Sequence, residues 1–206
     1  MPTTVSNKKY VVGVDEAGRG PLAGPVAVGV VCFANDFDVL EIFPGLNDSK
    51  KLSEKRREVL FHILQEEIKK GTVTAVVQLI SAEKIDEGGI GSAVHHAVAQ
   101  GVKKLLPDPT LGKVHLDGSL HAPKEYSQQT VVGGDGLIPA IMLASVAAKV
   151  TRDRYMVKQS ELYPLYGFEK HKGYGTKDHY QALREHGLCA IHRRSFIRLD
   201  QVQGEE

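Results

Sequence analysis

Five apolar runs rich in β-branched residues alternate along this chain with segments whose apolar positions recur every three or four residues. YVVGV at 10–14 and the run at 25–33 are the first two strands. The connection between them, about ten residues long, is too short for a crossover helix, so the two are expected to pair antiparallel. After the turn-like PGLND, Ser53 can cap a helix that places Val59, Leu60, Ile63, Leu64 and Ile68 on one face and stops at Gly71. TVTAVVQLI at 72–80 is a third strand. Ala93, Val94, Ala97, Val98, Val102, Leu105 and Leu106 then keep helical spacing up to the breaker PDP at 107–109. Short strands follow at 113–116 and 128–132, then a long helix at 139–158 and a last one at 177–186. A hairpin followed by alternating helices and strands describes an α/β protein with a mixed sheet and a helical C-terminal part.

The 206 residues fit a single domain, 1–206, with the helical extension starting at about 160. Cys32 and Cys189 are the only cysteines, lie in apolar surroundings and have no metal-site spacing, which points to reduced thiols in the cytoplasm. No stretch approaches the roughly 20 apolar residues of a membrane span, so no membrane partner is expected. The net charge is +1, which leaves nucleic-acid contact to local basic clusters such as SKKLSEKRRE, AKVTRDR and HRRSFIR.

Acids at strand ends carry the chemistry. Asp15 and Glu16 close the first strand, Asp117 closes the strand KVHL, and Asp135 sits in the turn GGDG before the long helix. Strand ends meeting at one edge of an α/β sheet form the usual place for a site. Converging carboxylates repel unless a cation lies between them, and an oxygen-only donor set suits Mg²⁺ or Mn²⁺. Spacing alone leaves a second reading open, in which these are solvated turn acids and Asp135 is a helix N-cap. The turn GRGPLAG is open in the same way. It can present backbone N–H groups as a nest, or it can be a tight hairpin; it lacks the Lys-Ser/Thr ending of a P-loop.

The motifs YVVGVDEAGRGPLAGPV, LNDSKKLSEKRRE, VHLDG, GGDGLIPAIMLASVAAKVTRDR and YPLYGFEKHKGYGTKDHYQAL followed by HRRSF stand in order over nearly all of 10–196. In this the chain resembles ribonuclease HII, the type 2 ribonuclease H family. The resemblance implies a ribonuclease H-like mixed sheet flanked by helices and endonucleolytic cutting of the RNA strand in RNA/DNA hybrids. It also implies cutting 5′ of ribonucleotides embedded in duplex DNA, with Mn²⁺ or Mg²⁺, by a two-metal-ion hydrolysis that leaves 3′-hydroxyl and 5′-phosphate ends. By motif, Asp15, Glu16, Asp117 and Asp135 correspond to the metal-binding acids and Gly18, Arg19 and Gly20 to the loop that senses the 2′-hydroxyl. Tyr174 corresponds to the aromatic that packs on the sugar beside the RNA-to-DNA junction. The 2′-hydroxyl is the group that marks RNA within a duplex. Gly89 stands where the family usually has asparagine. The expected protein is a cytoplasmic monomer whose partners are RNA/DNA hybrid and ribonucleotide-containing duplex DNA.

Further residues are candidates for gripping the nucleic-acid backbone. Ser49, Lys50 and Lys51 precede the second helix and can contact a phosphate or form a solvated helix entry. Lys149 and Arg152 are three apart and share a helix face, although Asp153 can claim Lys149 in an ion pair. His95 and His96 point to different sides of a helix and read as structural. His171 and His192 read as surface or capping residues, and Tyr163, Tyr166 and Phe168 as packing residues. That leaves Tyr174, flanked by glycines, as the open aromatic.

Overall fold

The computed structural model describes residues 9–198. In chain order the elements are β1 (Tyr10–Ala17), β2 (Val26–Ala34), α1 (Val39–Ile42), α2 (Glu54–Lys70), β3 (Val73–Ile80), α3 (Ala82–Gly88), α4 (Ile90–Leu105), β4 (Gly112–Asp117), β5 (Ser127–Val131), α5 (Pro139–Leu162), α6 (Phe168–His171) and α7 (Lys177–His186). The sheet runs β3-β2-β1-β4-β5. The β1–β2 and β2–β3 pairs are antiparallel, β1–β4 and β4–β5 parallel. The expected hairpin is therefore present, but β1 is three residues longer than its apolar run. Asp15 and Glu16 pair with Gly29 and Val28 inside the ladder, because β2 continues to offer partners after the hydrophobic pattern has ended.

Helix α4 covers one face of the sheet, where Val94, Ala97, Val98 and Val102 meet Val12, Val28, Val30 and Val114. On the other face α5 lies beside α2, and Leu143, Ala144, Ala147 and Val150 share a core with Val31, Leu60 and Leu64. A third cluster joins Leu22 and Ala23 to Met156, Phe168 and Leu183, tying the C-terminal helices to the segment that follows β1. Among the described residues no helix is long and apolar enough to cross a membrane.

The helix ends follow local chemistry. Ser53 accepts a hydrogen bond from the Arg56 amide at 3.2 Å and Gly71 closes α2 in the left-handed conformation. Gly89 separates α3 from α4 at φ 77° and ψ 151°, a region that is essentially reserved for glycine. At the position where the family usually has asparagine, α4 thus starts from a break that glycine makes without strain.

The seating of α5 depends on missing side chains. A Cβ on Gly13 would lie 2.0 Å from the carbonyl oxygen of Ala140, and one on Gly29 would lie 2.4 Å from that of Ala144. Both obstacles are helix backbone, which cannot rotate away as a side chain can. Every residue from Ala140 to Ala148 is buried, so the first half of α5 shows no polar face.

Gly29→Ala is expected to push α5 off the sheet and cost roughly 3 kcal/mol, the upper end for overpacking a core. Urea denaturation reads this as a lower midpoint at constant m-value; an unchanged midpoint would mean that α5 is not held against β2 at this point.

Candidate active site

Adjacent parallel strands β1 and β4 bring three acids to one edge. Asp15 is buried with 4 % of its surface exposed, while Glu16 and Asp117 are half-buried. Burial, with Glu16 and Asp117 nearby, pushes the Asp15 carboxyl up to about 7, and a hydrogen bond from Ser145 of α5 pulls partly the other way. Burial also raises Glu16, while its partner Arg19 lowers it. The turn before α5 adds the fourth acid. Asp135 is buried and its amide donates to Asp117 Oδ1 at 3.4 Å.

Lys50 enters this edge from the loop before α2. Its Nζ lies 2.9 Å from Asp135 Oδ2, and that hydrogen bond is the main reason the ammonium pKa is raised. Among the described residues no three His, Cys, Asp or Glu side chains are drawn together closely enough to form a finished metal cage. The donors nevertheless suit a hard divalent cation. They are all oxygens, Asp15 is destabilised as an anion where it stands, and the cations now in contact with the group are the exposed side chains of Lys50, on Asp135, and Arg19, on Glu16.

Immediately after β1 the chain turns through Gly18, Arg19 and Gly20. Gly18 has φ 85°, and a Cβ there would lie 1.9 Å from Arg152 Nε, so this turn is pressed onto a buried guanidinium. Arg19 is exposed and its Nη1 meets Glu16 Oε1 at 3.3 Å, while Gly20 is open. Tyr174 is 44 % exposed, with the Arg152 guanidinium 5.8 Å from its ring centroid. Its loop is bonded to the segment beyond the turn, since the Leu22 and Ala23 amides donate to Gly173 O at 2.9 and 3.3 Å.

Three of the residues expected to grip the nucleic-acid backbone are engaged within the protein instead. Ser49 is buried and hydrogen-bonded to the Ser145 hydroxyl at 2.7 Å, so it supports the Asp15 side of the site and does not face a phosphate. Lys149 is paired with Asp153 at 2.9 Å, as the i, i+4 spacing allows. Arg152 is 1 % exposed and gives Nε and Nη2 to the Pro25 and Ala23 carbonyls, leaving Nη1 as a buried donor without a partner among the described residues. Its place is behind the glycine turn. Lys51 is exposed, 4.0 Å from Asp48.

Sequence reasoning missed Ser145 and Arg193. Ser145 is the polar residue in an otherwise apolar helical stretch, a usable signal. Arg193 is fully buried and donates to Gly18 O, Arg19 O and Gly24 O at 2.7, 2.9 and 2.9 Å. Nothing in the string HRRSF separates it from its exposed neighbour Arg194.

Comparisons with known proteins point one way. The family model described as Ribonuclease HII matches residues 12–199. A protein named Ribonuclease HII from Endomicrobium trichonymphae is 45 % identical over 192 residues, 93 % of this chain and 87 % of that protein. One of the same name from Burkholderia thailandensis is 46 % identical over 188 residues, 91 % and 83 % of the two chains. Among solved structures, the PCNA:RNase HII complex from Archaeoglobus fulgidus contains a similar chain at TM-score 0.75 and 25 % identity, covering 95 % of this chain and 98 % of that one.

Behind the Tyr174 loop, His179 and His192 are buried, and burial lowers both to about 4. In the unfolded chain they titrate near about 6.5, so between about pH 6.5 and about 4 the unfolded state binds more protons and stability falls as pH falls. Asp15 acts with opposite sign, its raised value favouring the folded state as pH drops from about 7. Urea midpoints measured from pH 7 to 4.5 should therefore decline less steeply in His179→Gln than in the parent protein. Parallel curves would show that the histidines are not held neutral.

Proposed function

This chain belongs to the ribonuclease HII family of hydrolytic nucleases, and we propose that it cuts 5′ of single ribonucleotides embedded in duplex DNA as well as the RNA strand of RNA/DNA hybrids. The observation that carries this reading is adjacency: β1 carries Asp15 and Glu16 near its end and runs directly into the clamped glycine turn, and the Tyr174 loop is bonded to the chain leaving that turn. A cut beside the sugar being tested follows from that continuity.

In this reading Asp15, Glu16, Asp117 and Asp135 hold Mn²⁺ or Mg²⁺, with Lys50 giving up Asp135 when the ions enter. When bound, two such ions would supply a lowered pKa for an attacking water and stabilisation of charge on the scissile phosphate. Ser145 keeps Asp15 oriented, and Ser49 keeps Ser145 oriented. Gly18, Arg19 and Gly20 test the ribose through backbone groups, without reference to the base. Tyr174 offers an exposed face to the neighbouring sugar, steadied by Arg152. Lys50 and Lys51 are exposed and meet the phosphate backbone. The attacking oxygen comes from water and not from the 2′-hydroxyl, so the products carry 3′-hydroxyl and 5′-phosphate ends. A monomer supplies all of these groups.

The test is a cleavage assay on duplex DNA carrying one ribonucleotide, with and without chelator. Cutting at the ribonucleotide that chelator abolishes is expected. Binding without cutting would indicate a hybrid-binding module, and cutting of all-DNA substrates would indicate a different metal nuclease. Asp117→Asn should reduce turnover to background while the circular dichroism spectrum is kept; full activity in that variant would remove Asp117 from the site.

Tyr174→Ala should lose the packing of the ring on the sugar, with a larger loss of cutting at a single ribonucleotide than on continuous hybrid. Equal losses on the two substrates would deny the ring its place at the junction.

A further inference from the structure

Two neighbouring residues reach both elements assigned to the ribose. Arg193 holds the glycine turn directly. There are no cis peptide bonds among the described residues, and in a trans peptide the C=O and the following N–H point in opposite directions. With the Gly18 and Arg19 carbonyls drawn inward onto Arg193, the N–H groups of Arg19 and Gly20 are turned away from the buried side. The forked guanidinium therefore sets which face of two successive peptides the turn presents.

His192 holds the other element through a relay. The Cys189 amide donates to His192 Nδ1 at 2.9 Å, closer than the Cys189 carbonyl at 3.3 Å, and because the Tyr174 carbonyl can only accept, His179 is protonated on Nδ1 and the His192 proton lies on Nε2. That proton is donated to His179 Nε2 at 3.0 Å, leaving His179 Nδ1–H to donate to the Tyr174 carbonyl at 3.0 Å. His171 stacks on His179 with centroids 4.5 Å apart and accepts the Gly173 amide on Nδ1 at 3.2 Å, its Nε2–H going to Tyr166 O at 2.7 Å. His192 and His179 are neutral in this arrangement.

The unit is anchored at both ends. Ala23 bridges His192, and the Arg193 amide donates to Leu22 O at 2.8 Å. Asp86 of α3 accepts the Arg194 and Ser195 amides at 2.8 and 3.0 Å.

We propose that His192 and Arg193 form a two-armed positioning unit that fixes the glycine turn and Tyr174 relative to each other, and thereby sets how strictly a ribose is required at the cut. This rests on the function proposed above. Arg193 touches the turn and His192 acts through His179, so both are positioning residues and neither is a catalytic one.

The experiment measures kcat and KM on duplex DNA with one ribonucleotide for the parent, Arg193→Lys, His192→Gln and His192→Leu. Lysine keeps the charge but not the fork. Glutamine can return an N–H donor to the position of Nε2, and leucine cannot. Arg193→Lys is expected to lose about 10- to 100-fold in kcat, the scale of small misplacements near reacting atoms, with KM nearly unchanged. His192→Leu should show a similar loss and His192→Gln should recover much of it. Unchanged kcat in Arg193→Lys, a change confined to KM, or equal loss in the two His192 variants would overturn the proposal.

Ring ¹⁵N NMR of the parent protein provides a test independent of folding in the variants and of catalysis. His192 should carry its proton on Nε2, and His179 on Nδ1, with a coupling across the N–H···N bond. The opposite tautomers would overturn the relay. If the parent cuts no ribonucleotide substrate while these tautomers are found, the functional reading fails and the clamp geometry stands.

Discussion

The contact of α5 with the first hairpin is the constraint on which the site depends. Because Gly13 and Gly29 have no side chain, the helix backbone rests directly on the strands, and the helix cannot slide without meeting Val11, Val31 or their neighbours. One rigid rod then serves three places. Its entry turn carries Asp135, its second turn carries Ser145 to Asp15, and its later turns carry Arg152 to the segment behind the glycine turn. An error in seating α5 would move acids, support and turn together.

Charge is distributed around that rod in two opposed groups. Carboxylates that burial destabilises as anions gather at the strand ends, and two guanidiniums that burial destabilises as cations lie behind the turn; Arg193 is lowered to about 9 by burial and by Arg152 beside it. Neither group is neutralised by the other. The guanidiniums spend their hydrogen bonds on main-chain carbonyls, which orients a loop at the cost of burying charge. The acids retain an unmet demand for positive charge, partly answered by Lys50. A polyanionic substrate accompanied by divalent cations fits such a divided surface.

Much of this was legible in the chain. The hairpin, α2 with its Ser53 cap and Gly71 stop, the apolar α5 and the strand-end position of Asp117 follow from periodicity and turn chemistry, and the ordered motifs named the acids and Tyr174. The extension of β1 through Asp15 and Glu16 was not legible, because ladder pairing is a property of the partner strand. The burial of Ser49, Arg152 and Arg193 was equally hidden, since a polar side chain that points inward leaves no local pattern. The direction of each depends on carbonyls or hydroxyls far away in sequence, 175 positions for the Arg193–Gly18 bond. His192 read as a surface or capping residue and nothing singled out His179, until their rings were found in line with the Tyr174 carbonyl.

The central claim is that the strand-end acids form a divalent-cation site beside the glycine turn. Anomalous diffraction from crystals of the protein soaked in Mn²⁺ tests it most directly. The account predicts manganese peaks among Asp15, Glu16, Asp117 and Asp135, with Lys50 withdrawn from Asp135. Manganese found elsewhere, or no peak at these carboxylates while Lys50 stays in place, would contradict it.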